Sequence, residues 1–433
     1  MHSYVSRRRI LGALGLAAGA VGGGALTGCS TSRPATRGPV KLRMLTWTSN
    51  ERHLAVFNRI GAAYLEQHKD KVSEVVFDGV VDGTYLKALT TQIGGGDVPD
   101  LAWTFEGMAA QFIDSGVFAN LTPTLTAVPD YHVDDLVDGA MDLWRKDGDI
   151  YAYPFSNSPL GIYANLDVIK AAKLPSPRDL LASGEWTWDK LMEMAAAIGK
   201  QADRAGFQSA ADPAKDWNSA LGPIWLSWNA RPWTADGRTC TFAAPEMVTF
   251  LEWFHRQIFV AGAMPQPGQQ FDFAAGQVGF RMAQLSMSAG LKDSFEWDFL
   301  PMPAGPSGTV PVVGQGAVGV VAQGRNPEIA ADFLAYFTNK ENSALLAAFF
   351  PPPRKSLLAV EALSTAAPAL TSAQIQGTVI DQAVKAVTKV GHAKLSELDD
   401  PIRAGLDALW HKDADVRRVL ETLTAAVQKI IDE

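Results

Sequence analysis

The chain has 433 residues, 47% of them hydrophobic and 19% charged, with 38 Gly and 25 Pro. That length suffices for two or three domains with a buried core, and an aromatic share of 9% excludes a disordered or low-complexity chain. Residues 1–28 hold three Arg and no acid, so the formal net charge of −8 becomes −11 for a chain starting at Cys29. Such a balance offers no general field for nucleic acid or anionic lipid, and it leaves enzymes and binding proteins both open.

The N-terminus opens with the basic stretch Ser6-Arg7-Arg8-Arg9, followed by an uncharged run from Ile10 to Gly28 rich in Ala, Gly, Leu and Val. The run is too Gly-rich for a stable transmembrane helix and suits the apolar core of an export signal. It closes on Leu26-Thr27-Gly28-Cys29, which resembles the lipobox of bacterial lipoproteins, and the arginine pair resembles a twin-arginine export signal. Residues 1–28 are therefore read as a twin-arginine-like lipoprotein signal peptide, Cys29 as the lipidation site and 29–39 as a flexible tether. This predicts an extracytoplasmic protein anchored to the cell membrane through lipidated Cys29. With Cys29 acylated only Cys240 remains, so no internal disulfide is expected. Cys240 lies in the alternating run Gly237–Phe242 and is read as a strand residue.

From residue 40 strands and helices alternate. Val40–Trp47 alternates apolar and polar residues and predicts a strand. Ser49 or Asn50 can cap the helix that follows, in which Leu54, Phe57, Ile60, Tyr64 and Leu65 share a face. Val72–Phe77 predicts a second strand, Tyr85–Ile93 a helix and Asp100–Thr104 a third strand. That order implies a largely parallel sheet flanked by helices. Further strands are expected at Ile150–Phe155 and Ile162–Asn165, then a helix at Leu166–Ala172. Another helix is capped by Thr187, with Asp189 in its first turn. Trp217, Trp225, Trp228 and Trp233 crowd one region, where Trp225 and Trp228 read as a helix core face. Gly314-Gln315-Gly316-Ala317-Val318-Gly319 fits G-x-G-x-x-G but continues as a strand, which removes the dinucleotide reading, since that motif must open a helix. Asn326-Pro327 starts a helix, and apolar spacing through Leu406, Leu409, Leu420, Leu423 and Val427 continues helical structure to the end. The scattered histidines, among them His53, His68 and His255, read as surface groups.

Several of these segments occur in a familiar order. They are Gly96-Asp97-Val98-Pro99-Asp100, Asp114 to Pro123, Tyr151-Ala152-Tyr153-Pro154 with Tyr163-Ala164-Asn165, Thr187-Trp188-Asp189-Lys190-Leu191, Phe273 to Phe280, Pro303 to Gly308, Asn326-Pro327-Glu328 and Pro351-Pro352-Pro353-Arg354. Behind a lipobox, that order resembles the extracellular solute-binding proteins of ABC importers, in the sugar-binding group that includes maltose-binding protein. The resemblance implies an α/β, two-lobed periplasmic-binding-protein-like fold of type II, each lobe a sheet flanked by helices with a hinge between them. Residues 40–153 with 315–349 would form lobe 1, and 154–314 with 350–433 lobe 2. Two departures stand out: Met282–Met287 carries no aromatic for a sugar ring to stack on, and Asn157-Ser158 replaces an acidic hinge contact.

In such a fold the ligand sits at the carboxyl ends of the strands. Trp47, Ser49 and Asn50 follow the first strand, Asp78 the second, Phe105 and Glu106 the third. Asn157 and Ser158 lie by the crossover, and Gln315 and Arg354 where the chain recrosses. Trp217 beside Asn218 is a stacking candidate. The same residues have plainer alternatives: Trp47 as a buried strand-end aromatic, Asp78 and Glu106 as solvated acids, Gln315 and Arg354 as hinge structure. The function implied is a lipid-anchored receptor, acting as a monomer without cofactor or metal, that hands a sugar or related solute to ABC permease subunits. The alternatives are a secreted glycoside-processing enzyme, which needs two carboxylates facing one bond, and a non-transport receptor lipoprotein on the same fold.

Overall fold

The computed structural model describes residues 38–80, 85–201, 203–291, 295–347 and 349–433. The expected signal peptide and Cys29 lie outside them. The strands are β1 Val40–Thr46, β2 Val72–Gly79, β3 Leu101–Phe105, β4 Arg145–Lys146, β5 Asp149–Ile150, β6 Tyr153–Asn165, β7 Ala205–Gln208, β8 Val278–Gln284, β9 Trp297–Leu300, β10 Val312–Val320 and β11 Val387–Thr388.

The opening elements match the expected order. In β1 the residues Val40, Leu42, Met44 and Leu45 are buried, and β1 pairs in parallel with β2 on one side and β3 on the other. Helix α1, Glu51–Gln67, starts at Asn50, whose side chain accepts from the Arg52 N–H at 2.9 Å. Asn50, not Ser49, is thus the cap. The buried face of α1 is Phe57, Ile60, Gly61 and Tyr64, the spacing of a single helical stripe. Helix α2, Tyr85–Gly95, returns the chain to β3.

Two long strands join the halves of the molecule. The strand order is β2-β1-β3-β10-β6-β8-β7, with β9 also on β6 and β11 also on β10. The first part of β6, through Pro159, pairs antiparallel with β10, whereas Leu160–Asn165 pairs with β8 and β9. β10 in turn carries Gly316–Val320 against β3. All nine residues of β10 are buried, as expected for a strand covered on both faces. The G-x-G-x-x-G run is therefore a strand, as its sequence predicts. The ladders run unbroken from one group of strands to the other, and Pro39–Glu433 forms one compact unit.

The helix Trp217–Trp225 begins at Asp216, whose carboxylate accepts from Ser219 N–H at 2.9 Å. Trp225 and Trp228 are buried, as their spacing predicts, against Phe242, Phe250 and Trp253. At the C-terminus the helices Leu395–Leu406 and Val416–Asp432 pack together through Leu398, Ile402, Leu420 and Leu423. Among the described residues no helix is long and apolar enough to cross a membrane.

The structure corrects two local expectations. The strands expected at Ile150–Phe155 and Ile162–Asn165 are largely one strand, β6, which runs without a break from Tyr153 to Asn165. Gly237–Phe242 is not a strand but a turn, in which Cys240 makes an isolated bridge to Trp233 and its N–H donates to Gln428 Oε1 at 2.7 Å. Alternation over so few residues was produced by the turn around Asp236, not by a pleat. The Cys240 thiol is buried, and burial pushes its pKa up.

Candidate ligand-binding cleft

A cleft of about 1450 Å³ opens beside the carboxyl ends of β1 and β3, over the crossing strands β6 and β10. One wall is aromatic. Trp47 follows β1, and its indole meets Tyr85 edge-on at 5.6 Å between ring centroids and the buried Trp103 at 4.8 Å. Phe105, Phe155, Phe349 and Phe350 extend this wall. The Tyr85 hydroxyl is already committed, donating toward the carbonyls of Leu45 and Trp103 at 3.1 and 2.8 Å. His53 lies on the same wall, 4.6 Å from Phe349 and 4.9 Å from Phe350, with Nδ1 3.0 Å from Thr48 Oγ1. Burial, with the Arg52 charge beside it, lowers the His53 pKa and favours the neutral ring.

The facing wall is built from different chemistry. Asp216, Asn218 and Ser219 come from the start of the helix Trp217–Trp225, Gln284 and Leu285 from the end of β8, and Lys389 and Asp399 from the C-terminal region. Its carboxylates have partners on their own side: Asp216 caps its helix, Asp399 accepts from Trp217 Nε1 at 2.9 Å, and Asp400 pairs with Arg403. Burial, despite the Trp217 hydrogen bond, raises the Asp399 pKa.

The floor is a hydrogen-bond network centred on Gln315. Its side-chain Nε2 donates to Asn157 Oδ1 at 2.6 Å and to the Ala140 carbonyl at 2.8 Å, and its Oε1 accepts from Trp144 Nε1 at 3.0 Å. The Gln315 N–H donates to Glu106 Oε2 at 3.0 Å. Glu106 Oε1 lies 3.1 Å from Lys389 Nζ, which also donates to Ser219 Oγ at 3.1 Å. By contrast, Ser158 Oγ and Asn218 Oδ1, both from cleft-lining residues, are buried without a hydrogen-bond partner. Buried polar atoms are seldom left unpaired; Asn218 Oδ1 is turned onto its own helix, where a Cβ on Gly222 would meet it at 2.8 Å.

Of the residues singled out from sequence, Trp47, Asn50, Phe105, Glu106, Ser158, Asn218 and Gln315 line this one cleft. Asn157 is buried beneath the floor, bonded to Gln315. Four others stand apart. Ser49 is exposed and is not among the lining residues. Asp78 Oδ2 is 3.3 Å from Arg43 Nε, a guanidinium that also binds Asp97 and Gln92. Trp217 is 1% exposed and packs on Trp225, Trp233 and Phe242, so its ring has no face for a solute. Arg354 is fully buried. It donates to the carbonyls of Tyr131 at 3.0 Å and Thr338 at 2.9 Å and lies 4.8 Å from the Tyr131 ring. The plainer alternative of structural arginine therefore holds.

Sequence reasoning missed His53, Phe349, Phe350, Gln284 and Lys389. His53, expected at the surface, is brought onto the aromatic wall by the first turn of α1. Phe349-Phe350 directly precedes Pro351-Pro352-Pro353, and that adjacency was the available signal. The aromatics absent from Met282–Met287 are thus supplied from the other side of the cleft. Among the described residues no group of three His, Cys, Asp or Glu side chains is arranged to hold a metal ion.

Comparison with known proteins agrees with this architecture. The chain is 26% identical over 337 residues to an uncharacterized lipoprotein in the oleD 5' region of Streptomyces antibioticus, covering 74% of this chain and 72% of that one. It is 23% identical to an arabinooligosaccharide-binding protein of Halalkalibacterium halodurans, covering 72% and 71%. Among solved structures, the ABC substrate-binding protein Lmo0181 from Listeria monocytogenes in complex with cycloalternan superposes with a TM-score of 0.76 at 18% identity, over 91% of this chain and 99% of that one. Its likeness extends to the two-lobed α/β fold. The family model for bacterial extracellular solute-binding proteins matches residues 48–344, and the chain belongs to that family.

Proposed function

We propose that the protein captures an oligosaccharide between its two walls and delivers it to an ABC permease without chemical change. The observation that carries this reading is an aromatic wall facing the polar side chains of Asn218, Ser219, Gln284 and Lys389 in one cleft. Flat apolar rings suit the C–H faces of a sugar, and polar lining side chains suit its hydroxyls. The cleft volume of about 1450 Å³ exceeds the roughly 300–1,000 Å³ of ordinary small-molecule pockets, which favours several linked rings over one. An arabinooligosaccharide-binding relative and a structural neighbour holding cycloalternan support the same class. Each wall carboxylate is engaged in a cap, an ion pair or an indole hydrogen bond, which favours binding over hydrolysis.

The solute stabilises the closed form through contacts made on both walls at once. Residues 40–153 with 315–354 form lobe 1 and 154–314 with 355–433 lobe 2. The buried attachment of Arg354 to Tyr131 and Thr338 supports moving the last crossing beyond 354. A lipoprotein relative supports the anchor at Cys29. Twin-arginine export and action as a monomer complete this reading.

Titration calorimetry of the exported domain against arabino- and malto-oligosaccharides tests the proposal. Saturable binding that strengthens with chain length is expected. Absence of heat with every member of both series, or turnover of a glycoside, would overturn it.

A further inference from the structure

Resting on the reading above, we infer that Glu106 and Lys389 together filter the solute by charge: Lys389 donates a hydrogen bond to it, and Glu106 cancels the lysine charge so that neutral sugars are taken in preference to their acidic counterparts. The two residues come from distant parts of the chain. Glu106 follows β3, beside the aromatic wall, whereas Lys389 follows β11 and faces the helix Trp217–Trp225. Their contact is secured by close backbone approach: a Cβ on Gly391 would stand 3.2 Å from the carbonyl oxygens of Glu106 and Gly107. Both side chains are largely withdrawn from water, at 5% exposed for Glu106 and 16% for Lys389, and both still line the cleft.

An ammonium has three N–H donors. Among the described residues, two of those of Lys389 are directed to Glu106 Oε1 and Ser219 Oγ. That leaves a third donor on a residue that lines the cleft, as does Ser158. A hydroxyl or ring oxygen can accept from the ammonium, and a charge-assisted hydrogen bond of this kind is about twice as strong as a neutral one. A carboxylate or phosphate would gain the same contact but would approach Glu106 as well. The remaining charges reinforce that bias: the cleft is lined by four carboxylates, Glu106, Asp216, Asp399 and Asp400, against three cations, Arg52, Lys87 and Lys389. Breaking one side of a buried pair is costly whatever its function, whereas a neutral pair of similar volume is often tolerated. The double substitution therefore separates a ligand contact from a structural one.

The experiment is calorimetry and thermal unfolding on the wild type, Lys389→Met, Glu106→Gln and the double variant. The probes are arabinotriose, maltotetraose and the same two sugars oxidised at their primary hydroxyls to uronates. The wild type should bind a neutral probe at least tenfold more tightly than its uronate. Lys389→Met should lose tenfold or more in affinity for the neutral probe and should lower the unfolding temperature. The double variant should recover the unfolding temperature without recovering the affinity. Glu106→Gln should shift preference toward the uronate by about tenfold. A double variant that binds the neutral sugar like the wild type would refute the role of Lys389. Equal binding of sugar and uronate by the wild type would refute the filter. A wild type that binds neither neutral probe would remove the carbohydrate reading and this inference with it, an outcome distinct from the other two.

Discussion

Trp47 lies across the bare backbone of Gly316: a Cβ at that glycine would stand 3.1 Å from Trp47 Cζ2 and 3.2 Å from Phe155 Cζ. Gly314, two residues earlier, plays the matching part, because a Cβ there would collide with the Gln284 amide. The two glycines flank Gln315, so β10 gives the floor of the cleft its depth where both walls reach over it.

Gly316→Ala should therefore push the indole of Trp47 from its place. Overpacking of this kind costs roughly 1–3 kcal/mol, and oligosaccharide affinity should fall with it. Urea denaturation and calorimetry on the same variant check both parts. Pairing it with Trp47→Phe should return part of the lost stability.

Two tryptophans should separate cleanly. Trp47→Ala removes a cleft face and is expected to weaken binding about tenfold, or about 1.4 kcal/mol. Trp217→Phe removes the hydrogen bond to Asp399 and leaves a cavity among Trp225, Trp233 and Phe242, so stability should fall by about 2–4 kcal/mol with affinity unchanged. The opposite pattern in calorimetry would put the stacking face at Trp217.

Arg354→Met should destabilise the fold by about 3–5 kcal/mol, since it strands the Tyr131 and Thr338 carbonyls and leaves Asp135 without its 3.6 Å partner. Affinity measured on the folded protein should remain that of the wild type. Denaturant midpoints and calorimetry at low temperature distinguish this from a ligand contact.

His53 makes stability depend on pH. Its folded-state pKa lies below the usual 6.5, so the unfolded chain takes up the proton first as pH falls. The neutral ring's contribution is complete above 6.5 and is lost as pH drops through the lowered value. His53→Asn should flatten the urea midpoint over this interval. An unchanged slope would assign the dependence to other groups.

Cys29→Ala should release the protein from the membrane fraction into the soluble one, as followed by immunoblot. Retention on the membrane would show that something other than lipid at Cys29 holds it.

Much of the scaffold was legible because its signals are local. The alternation of Val40–Thr46, the Asn50 cap and the one-sided stripe of α1 each need only neighbouring residues. The Gly314–Gly319 segment could be judged a strand for the same reason. What escaped depends on distant partners. Gln315 could be named as a candidate, but not the bonds that fix it, which come from Trp144 and Ala140 more than 170 residues away in the chain. Lys389 reaches the cleft only because Gly391 lets the C-terminal segment touch Glu106 and Gly107. Trp217 looked available because an indole beside an asparagine fits both a core and a cleft, and only the packing of Trp225, Trp233 and Phe242 decides between them.

The crossing strands also set how the molecule can move. Ser156–Pro159 of β6 and Val313–Gly316 of β10 lie side by side in an antiparallel ladder. A paired ribbon resists shear along its rungs but accepts torsion about its long axis. A rotation of one half against the other would therefore be spread over the paired residues of this ribbon. Amide deuterium uptake should accordingly stay slow along both strands, with or without bound sugar, while it changes at the rim of the groove.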